Sequence, residues 1–250
     1  MTKIHSLNRP ALPKADRAAF LLDFDGTLVD IAPTPELVVV APGLADTLLR
    51  LRMLCGDALA IVTGRPVAQI DQFLPNVPFA VAGEHGIATR LSPSSPVVRP
   101  DLPPVPSSWL AGANQLAEEI EGIRVEHKAT GFVLHFRGNP AAGPLLRHAA
   151  DDMVSESGGR FHVQAAKMAW EIRPHGIDKG SAVRALMQHP PFAGRLPVFV
   201  GDDVTDEDGI AAAIELGGTG YRIPDDFDDP ESVRGWLTLL AAGEEHSWGG

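Results

Sequence analysis

The chain has 250 residues, with 21 Lys and Arg against 32 Asp and Glu, a formal charge of −11. Hydrophobic residues make up 44% and charged residues 21%, a globular balance that excludes disordered and fibrous classes. The acidic surplus excludes the basic face that nucleic acid needs as a partner, and the single cysteine excludes an internal disulfide.

No apolar run approaches the roughly 18 residues of a membrane span, and the first 17 residues carry no apolar signal core. The expectation is a cytoplasmic protein without a membrane partner. A phosphorylated small-molecule substrate stays compatible with the acidic balance, because a bound cation can reverse the local field.

In chain order, Ala18 to Phe24 is short and apolar and predicts a buried strand, closed by the turn residues Gly26 and Thr27. A helix is expected from about Pro42 to Leu54, where leucines at 44, 48, 51 and 54 keep one face apolar. Ala58 to Thr63 predicts a second buried strand, and Pro66 suits the first turn of the next helix. Phe79 to Gly83 predicts a third strand. Ser92 to Pro106 is rich in Pro and Ser and reads as a linker.

The periodicity then changes. A helix is expected over 107–121, a hairpin over 123–128 and 132–137 around Ala129-Thr130-Gly131, a helix over 140–157, and strands over 160–166 and 169–173. After them, Lys179 precedes a helix, and Leu196 to Val200 is one more buried strand ending at Gly201-Asp202-Asp203. Strands alternating with helices predict an α/β core with a parallel sheet covered on both faces. The core is assigned to 1–102 and 176–250. The insert at 103–175 is expected to be an α/β cap in the order helix, strand, strand, helix, strand, strand.

Alternation within the insert puts Phe132, Leu134 and Phe136 on one face and Val133, His135 and Arg137 on the other. Arg124, Glu126 and Lys128 share a polar face in the same way, as do Glu171 and Arg173. Such a face is either a solvated sheet surface or a surface for a hydroxyl-rich ligand.

The chemistry concentrates at strand ends, where open parallel sheets bind ligands. Asp23 and Asp25 follow the first strand, and two carboxylates so close repel unless a cation or proton intervenes. Hard oxygens without nitrogen or sulfur partners favour Mg²⁺. Asp202 and Asp203 end the last buried strand. Asp206, Glu207 and Asp208 resemble an acidic helix start, which accounts for Glu207 and Asp208. A calcium loop is excluded, because its first ligand position would be Val204. Thr63 and Lys179 stand where a hydroxyl and a point charge can hold a phosphate. Cys55 reads as filler, and His127, His148 and His162 as structural or exposed.

Asp23 to Leu28 (DFDGTL), the threonine of Val62-Thr63-Gly64-Arg65, Lys179, and 201–206 (GDDVTD) resemble the four signature motifs of the haloacid dehalogenase superfamily of aspartate-nucleophile phosphatases. Longer stretches are similar to trehalose-6-phosphate phosphatases: 22–35, AGEHG at 82–86, EHK at 126–128, FVLHFR at 132–137, EIRPHGIDKG at 171–180 and PVFVGDDVTDE at 197–207. Phe136 departs from a frequent tyrosine, and Glu84 fills a variable position.

The resemblance implies a Rossmann-like core with an inserted cap. It also implies Mg²⁺-dependent hydrolysis of trehalose 6-phosphate through an aspartyl phosphate, the last step of trehalose biosynthesis. Asp23 would be the nucleophile and Asp25 the acid and base. Thr63 and Lys179 would hold the phosphate, and Asp23, the Asp25 carbonyl and Asp202 the metal. Asp203 would orient either Lys179 or a metal-bound water. Glu126, Lys128, Arg137 and Glu171 on the cap, with Arg65 and His85 on the core, would reach the sugar. A sucrose-phosphate or mannosylglycerate-phosphate phosphatase shares the core residues and remains the alternative. A receiver domain phosphorylated on Asp23 is a shorter chain without a cap, and a silent sugar-phosphate binder has no use for the full catalytic set.

Overall fold

The computed structural model describes residues 12–34, 37–128 and 130–243. In chain order its elements are β1 (Ala18–Leu22), α1 (Leu44–Leu54), β2 (Leu59–Val62), α2 (Val67–Phe73), β3 (Ala80–Gly83) and β4 (Ala88–Arg90). Then come α3 (Ser107–Glu119), β5 (Arg124–His127), β6 (Phe132–His135), α4 (Gly143–Ser155), β7 (Phe161–Ala166) and β8 (Ala169–Pro174). The chain finishes with α5 (Lys179–Leu186), β9 (Leu196–Gly201), α6 (Asp206–Glu215), β10 (Thr219–Arg222) and α7 (Pro230–Ala241). Two compact units result: Met1–Pro100 with Ile177–Gly250, and Asp101–Gly176.

The larger unit holds a six-stranded sheet in the order β10-β9-β1-β2-β3-β4. All neighbours are parallel except β4, which runs antiparallel to β3. β1 lies centrally and its five residues are fully buried, as a strand covered on both faces must be. Phe20 of β1 stands opposite Leu59 on one side and Val198 on the other. Trp236 of α7 packs 6.1 Å from the Phe20 ring and 5.4 Å from Tyr221 of β10.

Three features depart from the sequence expectation. β1 ends at Leu22, so Asp23 and Phe24 already belong to the turn. The stretch read as a linker begins inside the core: Val98 exchanges two backbone hydrogen bonds with Thr89, and the Ser92 and Ser95 hydroxyls lie 2.6 Å apart. Pro93 and Pro96 lie between these bridged residues, where they need no N–H donor. β4, β10 and α7 have no counterpart in the sequence expectation.

In the smaller unit the four strands are antiparallel in the order β5-β6-β8-β7. Trp109 of α3 and Leu146 and Ala150 of α4 bury one sheet face together with Phe132, Leu134, Phe136 and Ile172. Trp109 meets Phe161 edge to face at 5.2 Å. This is the expected order of helices and strands, with both helices on the apolar face. The expected signal-free amino terminus is largely outside the described residues, as are Pro35 of the first motif and Ala129 of the hairpin turn. No helix among the described residues is long and apolar enough to cross a membrane.

Candidate active site

Four neighbouring strands, β9, β1, β2 and β3, end at one edge of the core sheet, and each is followed by a polar residue. Asp202 follows β9, Asp23 follows β1, Thr63 follows β2, and Glu84 and His85 follow β3. Lys179 is the first residue of α5. A cleft of about 370 Å³ is lined there by Asp23, Asp25, Thr63, Arg65, His85 and Lys179, with Gln69 and Asp203 beside them.

Lys179 is the centre of the charge arrangement. Asp178 caps α5 by accepting from the Ser181 backbone N–H at 2.6 Å, which fixes the helix start and the lysine on it. The Lys179 ammonium is buried and donates to Asp23 Oδ1 at 2.7 Å and Asp206 Oδ1 at 2.6 Å. Burial alone would pull the lysine toward neutrality, but the two carboxylates outweigh it and hold it above its ordinary range. One ammonium cannot neutralise both acids. Burial pushes Asp23 up against the pull of Lys179, and Asp206 is pushed up to about 8 by burial and then by the Asp23 charge.

Asp206 is the residue that sequence reasoning left without a role. Its side chain is fully buried, and its Oδ2 accepts from the backbone N–H groups of Asp202 and Asp203, each at 3.1 Å. Gly201 makes the room, since a Cβ there would stand 2.2 Å from Asp206 Cγ. Lys179 is therefore oriented by Asp206. Asp203, expected to orient Lys179 or a metal-bound water, lines the same cleft and accepts from the Thr205 backbone N–H and hydroxyl at 2.7 and 2.6 Å, tying the turn before α6.

Asp202 is half-buried, and the Thr27 hydroxyl donates to it at 3.4 Å. Its carboxyl is pushed up to about 7, first by burial and then by the charges of Asp23 and Asp203. Gly26 has φ +78, and a Cβ on it would lie 2.2 Å from Asp202 Oδ2, so only glycine lets this turn approach. Asp23, Asp202 and Asp206 offer oxygens within 4.8 Å of one another. Crowded carboxylates with raised proton affinity are a donor set that fits a hard divalent cation. Both Asp206 oxygens are already engaged by Lys179 and two amides, which leaves Asp23 and Asp202 better placed to serve as ligands.

On the β2 side, the Thr63 hydroxyl oxygen accepts from the Arg65 backbone N–H at 3.1 Å, so its proton can be given to a ligand in the cleft. Glu84 and His85 have φ +54 and +57 ahead of Gly86 at +100. Two successive non-glycine residues in the left-handed region are strained, and the strain is held at the cleft wall. His85 packs over Gly64, where a Cβ would meet the imidazole at 2.7 Å. Arg65, expected at the sugar, reaches Asp25: its Nε and Nη2 donate to the two carboxylate oxygens at 2.5 and 2.6 Å.

On the smaller unit, Glu126 and Glu171 both stand opposite Val133 across adjoining strands and so share one row of the polar face. The Lys128 ammonium lies 3.4 Å from Glu171. His135 Nε2 lies 2.8 Å from Glu126 Oε2, a partner left outside the expected site. That hydrogen bond is the main reason the Glu126 carboxyl stays below the usual range. Arg137 does not share the strand face. β6 ends at His135, and Arg137 is exposed in the turn that Gly138 makes against Gly122.

Residues 21–219 match the model of the trehalose-phosphatase family. The chain belongs to that family. Its trehalose-phosphatase relatives include a probable trehalose-phosphate phosphatase of Sinorhizobium fredii, 37% identical over 239 residues, covering 90% of this chain and 88% of the relative. Trehalose-6-phosphate phosphatase of Escherichia coli is 34% identical over 207 residues, covering 82% and 77%. Among solved structures, trehalose-6-phosphate phosphatase of Aspergillus fumigatus superposes with a TM-score of 0.70 at 22% identity, covering 95% of this chain and all of that one. The fold is shared with a solved haloacid dehalogenase-like hydrolase of Bacteroides thetaiotaomicron (TM-score 0.63 at 14% identity, covering 89% of this chain), and the trehalose-phosphatase match runs through both units.

Proposed function

We propose that this trehalose-phosphatase family member hydrolyses trehalose 6-phosphate to trehalose and phosphate, with Mg²⁺ and through a phosphorylated Asp23. The observation that carries the proposal is the buried contact of Asp23 with Lys179 in a cleft that Asp25, Thr63 and Asp202 adjoin. The names of the relatives support the substrate.

Asp23 attacks phosphorus in line, its carboxylate oxygen forming the new P–O bond as the bond to the sugar oxygen breaks. Asp25 gives a proton to that leaving oxygen. Asp25 then takes a proton from the water that attacks the aspartyl phosphate, releasing phosphate and restoring Asp23. Lys179 and the Thr63 hydroxyl hold the phosphoryl oxygens, and Asp206 keeps Lys179 aimed at them. The Asp23 carboxylate, the Asp25 carbonyl and Asp202 would hold Mg²⁺, which would supply positive charge to the phosphoryl group. Phosphate monoesters react so slowly unaided that positioning, worth about 7–11 kcal/mol, needs charge stabilisation and acid catalysis beside it.

For the sugar, the polar face with Glu126, Lys128 and Glu171 supplies acceptors and a donor of the kind a disaccharide requires. Arg137 is a further candidate in that unit, and His85 lines the core cleft. The test is phosphate release from trehalose 6-phosphate, glucose 6-phosphate and sucrose 6-phosphate, with and without Mg²⁺, for wild type and Asp23→Asn. Strong preference for trehalose 6-phosphate that vanishes in the variant is expected. Preference for another ester would refute the substrate, and release without any divalent ion would refute the metal.

A further inference from the structure

The Arg65 guanidinium has every nitrogen committed within the core. Nε and Nη2 grip Asp25 side-on at 2.5 and 2.6 Å, and Nη1 donates to Gln69 Oε1 at 3.1 Å. The group lies beside two aromatic rings, 5.7 Å from the centre of Phe24 and 5.3 Å from that of Phe73, and the rings are themselves 5.5 Å apart. Phe24 is fully buried between Asp23 and Asp25 in sequence. Arg65 also fixes Thr63, whose hydroxyl oxygen accepts from the Arg65 backbone N–H.

A planar cation with three hydrogen bonds and two ring contacts has little rotamer freedom. Asp25 is the opposite case. It stands in a turn beyond the end of β1, its side chain is about a third exposed, and among the described residues its carboxylate accepts side-chain hydrogen bonds from Arg65 alone. A carboxylate so placed would sample several rotamers, and only one can meet a leaving oxygen.

From this geometry we infer that Arg65 is a positioning residue for Asp25, fixing the rotamer from which Asp25 serves the reaction, and is not a direct sugar ligand. The inference rests on the acid and base role proposed for Asp25. Lysine cannot reproduce the grip, because an ammonium is a single point of contact and cannot lie flat on the rings.

The test is a double-mutant cycle on the Mg²⁺-loaded full chain with trehalose 6-phosphate, using Arg65→Lys, Arg65→Gln, Asp25→Asn and the paired variants. General acid–base catalysis is typically worth about 10²–10⁴-fold, and a misplaced group loses a large part of it. Arg65→Lys should lower kcat about tenfold to a hundredfold and leave KM within about threefold. Adding either Arg65 change to Asp25→Asn should cost less than about twofold more, because the group that Arg65 positions is already gone.

A melting temperature close to wild type for Arg65→Lys separates this effect from unfolding. If that variant is unstable, Gln69→Ala, which removes only the third tie, should still lower kcat and not KM. A rise in KM at unchanged kcat, or losses that multiply in the paired variants, would overturn the inference and return Arg65 to the sugar. An Asp25→Asn variant of wild-type rate would instead refute the acid role itself.

Discussion

Asp202→Asn separates the electrostatic cost of the acidic cluster from its use. Raising this carboxyl from 3.8 to about 7 corresponds to ~4 kcal/mol at 1.36 kcal/mol per pH unit. The side chain is half-buried, so solvent screening reduces the figure to ~2 kcal/mol. The sign follows from the direction of the shift. A carboxyl whose folded value is raised holds its proton more tightly in the folded state. Its contribution to stability is complete below 3.8 and is lost as pH rises through about 7.

Near pH 8 the metal-free wild type therefore carries an unfavourable ionised Asp202, and the isosteric Asn does not. The variant in chelator should melt ~4–8 °C above wild type near pH 8, and the gap should close near pH 4. With Mg²⁺ at about a hundred times its dissociation constant, the wild type gains ~2.7 kcal/mol and the variant little, so their order reverses. Thermal melts at two pH values, each with chelator and with Mg²⁺, read all four states. A variant no more stable than wild type in chelator near pH 8 would refute the reasoning, as would a Mg²⁺ effect of equal size in both proteins.

Gly26→Ala should cost ~1–2 kcal/mol from its left-handed backbone and push Asp202 aside, weakening Mg²⁺ affinity by about tenfold or more in a metal titration. Asp206→Ala leaves Lys179 with one carboxylate and the Asp202 and Asp203 amides without their acceptor, so a loss of ~3 kcal/mol or more is expected in denaturant unfolding. The Cys55 thiol is buried and pushed up to about 12, chiefly by burial. Thiol reagents near pH 8 should leave it intact in the native protein and label it fully after unfolding, and equal labelling rates in both states would contradict its burial.

The elements most legible in the sequence are those whose burial is written in consecutive residues. β1 and β9 are uninterrupted apolar runs, and the alternation of Phe132, Leu134 and Phe136 marks the covered face of the smaller sheet. α7 had a comparable signal in Val233, Trp236, Leu237 and Leu240, which recur at helical spacing behind the capping Asp229. That signal lies beyond the last chemical motif of the chain, at 201–206. β4 was hidden for another reason: three residues of an edge strand next to a Pro- and Ser-rich turn have too little pattern of their own, and their pairing is set by Val81 and Val98 elsewhere in the chain.

The site divides along the same line. Asp23, Thr63, Lys179 and Asp202 were legible because each follows a strand or opens a helix, positions that chain order alone identifies. Asp206 was not, since an acid in the first turn of a helix already has a local explanation, and Glu207 and Asp208 in the same turn satisfy it. What separates Asp206 is the space left by Gly201 and a lysine 27 residues earlier. Sequence reading gave Arg65 and Asp25 separate tasks and had no means of showing that the two side chains pair with each other. Charged groups within a few ångströms satisfy one another first, and at a half-buried site that pairing decides which of them remain for the substrate.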